Sequence, residues 1–269
     1  MTDPCPDRIE VAGRTVAYRR AGTGPPVMLL HAGWSDGRQW LGQLHRLADG
    51  FDLVAWDAPG CGGSDDPPPD AGLGAYADAL AGLAAALGLE RAHLCGLSWG
   101  GGLALEVCRR HPGLTRSAVL VGAYAGWAGS LPPEEVRARL DRVVLEARRP
   151  PEKWAAGYLD GFFAGPVPED VRAAQLRMMM DVRPAGLVAM IRAFAAADLR
   201  PALPRIDVPV LVLHGERDAR SPVGVARRLY AAIPGARLVL LPGVGHAVPL
   251  EAPEAFAREV RGFLRSIPG

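Results

Sequence analysis

The sequence predicts an α/β fold: a doubly wound, mostly parallel sheet of eight strands interrupted by one all-helical insertion. Three observations lead there. Short apolar runs alternate with helix-length amphipathic stretches, the pattern of strands joined by helical crossovers. A stretch from Tyr124 to Asp198 contains no strand-like run. The 269-residue chain is long enough to bury one large core around such a sheet.

Taken in order, "RIEVAGRTVAYRRAG" predicts a hairpin that turns near Gly13, and "PPVMLLH" a short buried strand ending at His31. A helix is expected from Asp36 to Leu47, with Trp40, Leu44 and Leu47 on one face. The strand "FDLVAWD" follows, then an Ala-rich helix from Ala75 to Leu87 and the strand "RAHLCGL". "SWGGGLALEVCRRHP" is a helix closing at His111, because Pro112 cannot continue it. "SAVLVG" is the next strand. After the insertion come "VPVLVLHGERD", a helix from Pro222 to Ile233, the strand "ARLVLLPG" and a final helix from Pro253 to Leu264. The insertion itself divides into helical stretches at Pro133–Arg148, Pro151–Phe163, Glu169–Asp181 and Pro184–Ala196. It enters and leaves between two strands, so the expected division is a core of 1–124 and 198–269 with a lid of 125–197 over the strand ends.

Composition narrows the partners. With 30 Lys+Arg against 29 Asp+Glu the formal net charge is +1, which gives no general pull toward nucleic acid or an anionic membrane. A small-molecule substrate is the expected partner, and the sequence leaves the oligomeric state open. The four cysteines, Cys5, Cys61, Cys95 and Cys108, show no C-x-x-C pair or metal spacing. No export signal is read in "MTDPCPDRIE" and no window reaches the ~20 apolar residues of a membrane span, so a cytoplasmic setting is expected.

The reactive candidates fall at strand ends. Gly96-Leu97-Ser98-Trp99-Gly100 matches G-x-S-x-G, in which a strand turns sharply into a helix and lifts the serine oxygen above the sheet. Read alone, the stretch also fits a glycine-rich turn with a bystander serine. Asp218 follows the strand "VPVLVL" and His246 follows "ARLVLL". The order Ser, Asp, His suits a serine nucleophile, a histidine base and a carboxylate that fixes the histidine's tautomer. Asp57, at the end of "FDLVAWD", competes for the acid; its expected role is to accept backbone N–H groups in the turn of Gly60, Gly62 and Gly63. "HAGW" supplies oxyanion donors, the N–H of Gly33 or Trp34, to pair with that of Trp99. His31 is expected to bond this turn and not to act as a base.

With these residues in view, the chain resembles the α/β-hydrolase superfamily over nearly its whole length. The resemblance rests on "HAGW" (31–34), "DAPGCGGS" (57–64), "GLSWGG" (96–101), "GERD" (215–218) and "GVGH" (243–246). It is similar in particular to the small serine esterase, enol-lactonase and cofactor-free haloperoxidase group. Ala32 departs from it, since many members have glycine there. Members that open epoxides or remove halide carry aspartate at the elbow, where this chain has Ser98. Relatives with the acid after the sixth strand are not matched either, because "VGAYAGWAGSLPP" has no carboxylate before Glu134.

The resemblance implies hydrolysis of an ester or lactone of a small, largely apolar substrate through an acyl-enzyme, with no metal and no organic cofactor. A tailoring enzyme performing cyclisation, acyl transfer or C–C cleavage on the same triad is the alternative within catalysis. A slow-turnover ligand receptor is the alternative outside it. Trp34, Trp99, Tyr124, Trp127, Phe162, Phe163 and Met179 are the expected substrate-binding side chains, although aromatic and thioether residues at helical spacing also serve as ordinary core.

Overall fold

The computed structural model describes residues 5–268, so Met1–Pro4 of the N-terminal stretch read above lie outside the described residues. Eight strands form one sheet: β1 (Asp7–Val11), β2 (Arg14–Ala21), β3 (Pro26–Leu30), β4 (Asp52–Trp56), β5 (Ala92–Leu97), β6 (Thr115–Val121), β7 (Val210–Gly215) and β8 (Arg237–Leu241). Their order across the sheet is β1-β2-β4-β3-β5-β6-β7-β8. β1 and β2 form the expected hairpin, with Val11 opposite Arg14, and β2 runs antiparallel to β4. From β4 to β8 every pairing is parallel.

The strands β4, β5 and β7 are buried along their whole length, which requires helices on both faces of the sheet. Alternation along each strand divides the side chains between two cores. Met28, Leu30, Val54, Trp56, Leu94, Leu120 and Val212 point to the face covered by α2 (Leu73–Ala86) and α3 (Trp99–Arg110). Val27, Leu29, Leu53, Ala55, Cys95, Val121 and Leu213 point to the face covered by α1 (Leu41–Leu47). The C-terminal helix covers this second face too and brings Phe256, whose ring centroid lies 5.9 Å from that of Trp40. Burying a side chain of this size is worth about 1.5–3 kcal/mol.

Between β6 and β7 lie four helices, α4 (Pro133–Glu146), α5 (Ala155–Leu159), α6 (Glu169–Met180) and α7 (Pro184–Ala196). They are followed by α8 (Val223–Ala232) after β7, and by the short α9 (Val248–Glu251) and α10 (Pro253–Arg265) after β8. Two expected helices are corrected. The first is a 3-10 turn over Gly37–Trp40 leading into α1, because the Asp36 side chain accepts the N–H of Arg38 and caps the chain in a tight turn. The stretch Pro151–Phe163 is broken, with a 3-10 turn over Pro151–Lys153 and only α5 helical. Trp154 between them has extended φ of −135°, outside the helical range.

Register decides what meets above the sheet. Leu30 pairs with Gly96, Leu97 with Val121, Val121 with Leu213 and Gly215 with Leu241. The loops after β3, β5, β7 and β8 therefore leave from one edge. In an open parallel sheet that edge, at the carboxyl ends of the strands, is where ligands bind.

Candidate active site

Only Ser98 separates β5 from α3, and it adopts φ +56° and ψ −111°. A residue with a Cβ is strained there by about 1–3 kcal/mol and persists only where its surroundings hold it. They do so through three bonds: Ser98 N–H donates to the Val121 carbonyl at 2.7 Å, and its own carbonyl accepts from Gly101 at 3.0 Å and Gly102 at 3.2 Å. The flanking glycines are required by contact. A Cβ on Gly96 would strike the carbonyl of Gly100, and one on Gly100 the carbonyl of Leu30. Ser98 thus stands half-buried at the carboxyl edge of the sheet.

Asp218 and His246 come together from the loops after β7 and β8. His246 Nδ1–H donates to Asp218 Oδ2 at 2.8 Å, which leaves Nε2 as the basic nitrogen. Oδ1 of Asp218 accepts the N–H groups of Arg220 and Ser221, both at 2.8 Å. Burial opposes the carboxylate charge, but the charge and hydrogen bond of His246 and the Ser221 N–H outweigh it, and Asp218 titrates below its ordinary value. The ring of His246 meets the edge of Phe162 at a centroid distance of 5.7 Å. His214, a residue sequence reasoning missed, lies fully buried with Nε2 3.5 Å from Asp218 Oδ2 and donating to the Ser221 carbonyl at 2.7 Å. Burial lowers its pKa, so it lies against Asp218 as a neutral ring.

Asp57 is held elsewhere. Its Oδ1 accepts Gly37 N–H at 2.8 Å and the Arg19 guanidinium at 3.3 Å, and its Oδ2 accepts Gly63 N–H at 2.9 Å. Burial, reinforced by the charge of Asp36, raises its pKa. His31 likewise bonds its turn: Nδ1 donates to the Ala32 carbonyl at 2.8 Å and Nε2 accepts Ala58 N–H at 3.0 Å.

The loop after β3 runs beside the elbow. Ala32 N–H donates to Gln39 Oε1 at 2.9 Å, and Gln39 Nε2 reaches Ser35 Oγ at 3.1 Å and Gln175 Oε1 at 3.3 Å, tying the loop to α6. Trp34 has a left-handed φ of +59°, a second strained residue in this region. The N–H groups of Gly33 and Trp34 donate to no protein acceptor among the described residues. Trp99 opens α3, where an N–H has no acceptor within its own helix.

A cavity of about 330 Å³ opens here, with Ser98 and His246 in its wall beside Ala32, Gly33 and Trp34. Of the side chains expected to bind substrate, Tyr124, Trp127 and Phe162 also line it. Three of the expected binding side chains do not. Trp99 turns beneath the elbow, edge-on to Tyr76 at 5.2 Å and stacked on His31 at 6.1 Å. Met179 is wholly buried in the core, and Phe163 packs on that core beside Phe162. In their place the wall includes Tyr158, Arg139, Arg142 and Arg220, which correct the expectation of a largely apolar pocket. Among the described residues no group of three or more His, Cys, Asp or Glu is arranged to hold a metal ion, and no helix is long and apolar enough to cross a membrane.

The profile of the alpha/beta hydrolase family matches residues 27–259, a span that contains the elbow, Asp218 and His246. The chain belongs to the alpha/beta hydrolase family. It is 30% identical to a pimeloyl-[acyl-carrier protein] methyl ester esterase of Aromatoleum aromaticum, over 90% of this chain and 98% of that one. Among solved structures it resembles a thermophilic esterase from Thermogutta terrifontis, solved with malate bound, at a TM-score of 0.89 and 30% identity, covering 97% of this chain and 99% of the other. It also resembles the enol-lactonase from Burkholderia xenovorans LB400, at a TM-score of 0.86 and 27% identity, covering 96% of this chain and 100% of the other. This hydrolase therefore shares fold and size with esterases and a lactonase.

Proposed function

We propose that the protein is a serine hydrolase that cleaves an ester or lactone of a small molecule through an acyl-enzyme. The observation that carries this reading is the cavity wall shared by Ser98 and His246, with Asp218 2.8 Å behind the imidazole. The esterase and lactonase relatives favour an ester or lactone bond.

In this mechanism His246 Nε2 takes the Ser98 proton as Oγ adds to the substrate carbonyl. Asp218 holds the imidazole with Nε2 free and stabilises it once it is charged. The N–H groups of Gly33 or Trp34 and of Trp99 receive the oxyanion, in a loop whose backbone is already fixed by Gln39. Collapse breaks the bond to the alkoxide, which leaves with the proton from His246. Water then adds to the acyl-enzyme by the same route, the acid is released and Ser98 regains its proton. Residues 125–197 act as a lid on the core of 1–124 and 198–269, supplying Trp127, Tyr158 and Phe162 to the cavity. The cysteine pattern favours the cytoplasm as its setting.

Steady-state assays on short aryl esters, alkyl esters and lactones, in buffer containing a chelator, test the reading. Turnover in at least one ester or lactone series is expected. Binding without turnover across every series would overturn it in favour of a receptor.

A further inference from the structure

The cavity is cationic on one side. Arg139 and Arg142 enter its wall from α4 and Arg220 from the loop after β7, and among the described residues no Asp or Glu side chain lines it. Two of these guanidinium groups have acidic neighbours on their own helix, Arg139 with Glu135 at 2.7 Å and Arg142 with Glu146 at 2.9 Å. Arg220 has no carboxylate ion pair among the described residues. Its Nη2 donates to the Tyr158 carbonyl, and its guanidinium carbon lies 4.7 Å from the ring centroids of both Tyr158 and Phe162. The nearby Asp218 is committed to His246 and to the N–H groups of Arg220 and Ser221.

Those contacts leave donors over. Among the described residues the buried Arg220 Nε has no acceptor, and Arg142 spends only Nε on Glu146 while its guanidinium lies 4.9 Å from the Tyr158 ring. An unanswered buried donor on a cation costs free energy that a bound anion recovers. Burial lowers the Arg220 pKa to about 10, which leaves it charged at neutral pH. A clamp between the β7 loop and α5 accounts for the Nη2 bond but not for the free Nε beside the same cavity as Ser98.

We propose that Arg220 and Arg142, with Arg139 behind them, form a carboxylate-binding subsite, so that the substrate carries an acidic group at the end remote from the scissile carbonyl. Planar guanidinium groups match a carboxylate through paired N–H donors. Resting on the hydrolase reading above, the inference narrows the substrate to monoesters of dicarboxylic acids or lactones bearing a free carboxylate.

Glutarate and its uncharged counterpart glutaramide are the probes, titrated calorimetrically into Ser98→Ala protein. Glutarate is expected to bind and glutaramide to bind at least ~10-fold more weakly, the loss expected of an unpaired charge-assisted contact. R142Q and R220Q, each added to Ser98→Ala, should weaken glutarate at least ~10-fold. R220Q also removes the bond to the Tyr158 carbonyl; R142Q is the cleaner variant, because the Arg142 side chain is 63% exposed. Equal binding of the two probes, or glutarate binding unmoved by both substitutions, would overturn the subsite. In wild-type protein, kcat/KM should favour the 4-nitrophenyl monoester of glutaric acid over the 4-nitrophenyl ester of its monoamide, and either arginine substitution should shrink that ratio. If neither ester turns over while glutarate binding still depends on the arginines, the hydrolase reading fails and the subsite stands.

Discussion

Oδ2 of Asp218 accepts His246 Nδ1–H at 2.8 Å while Oδ1 of the same carboxylate is pinned by the N–H groups of Arg220 and Ser221. The carboxylate therefore cannot rotate without losing two backbone bonds. In Asp218→Asn the amide oxygen should keep those N–H groups, which turns the NH2 toward Nδ1. A donor then faces a donor, and the imidazole must move its proton to Nε2, the nitrogen needed as base. A fall in kcat on the order of 10³–10⁴ is expected. Asp57→Asn, which touches Gly37, Gly63 and Arg19, should instead lower stability with much less effect on kcat. Steady-state kinetics and thermal melts of both variants check the ranking, and the reverse order would move the acid to Asp57.

The strain at Ser98 makes a separate prediction about folding. Alanine keeps the φ of +56° unfavourable, whereas glycine relieves it. Ser98→Gly should be more stable than Ser98→Ala by about 1 kcal/mol, within the range such strain stores. Denaturant unfolding of the two inactive variants measures the difference. Equal stabilities would mean that the elbow is unstrained.

Gln39 offers a test of the proposed oxyanion loop. Its side chain holds Ala32 N–H and reaches Gln175 on α6, and it is almost fully buried. Gln39→Leu should leave Ala32 N–H unsatisfied and let the loop drift, lowering kcat by ~10-fold or more while KM changes little. A change confined to KM would assign Gln39 to substrate binding.

His93 governs part of the acid stability. Buried with Nδ1 2.7 Å from Ser117 Oγ, it is pulled from 6.5 down to about 4 by burial, with Arg116 and Arg91 adding to the effect. Below pH 6.5 the unfolded chain takes up a proton that the folded chain refuses until about pH 4. Stability should therefore fall through that window by ~1.4 kcal/mol per pH unit from this group, or roughly 3 kcal/mol in all. His31 and His214, whose pKa values burial also lowers, act in the same direction. Unfolding measured at a series of pH values should give a shallower slope for His93→Asn. Parallel profiles would exclude the assignment.

The central strands were legible because their apolar runs are short, buried on both faces and bounded by turn residues, as in "VMLL" and "LVLH". Ser98, Asp218 and His246 were legible for a related reason: each lies in the turn or loop that follows such a run, so its place on the sheet follows from topology. The arginines were not. Arg139 and Arg142 sit in a helix rich in charged residues, and Arg220 in the loop after Asp218. Only the tertiary fold brings α4 and the β7 loop to one wall. Trp99 and Met179 misled in the opposite sense. Their spacing fits a pocket and a core equally well, and the helices that carry them turn both side chains inward. His214 was hidden as one more residue of a buried strand, since nothing in "VLVLHG" marks a ring beneath the acid.

The central claim is that Ser98 is a nucleophile activated by His246 and Asp218. Reaction with a fluorophosphonate, followed by intact-protein mass spectrometry and peptide mapping, tests it most directly because the adduct does not depend on knowing the substrate. The account predicts one adduct per chain, on Ser98, absent from Ser98→Ala and formed at least ~10²-fold more slowly in His246→Ala. An unmodified protein under forcing concentrations, or an adduct on any other residue, would contradict it.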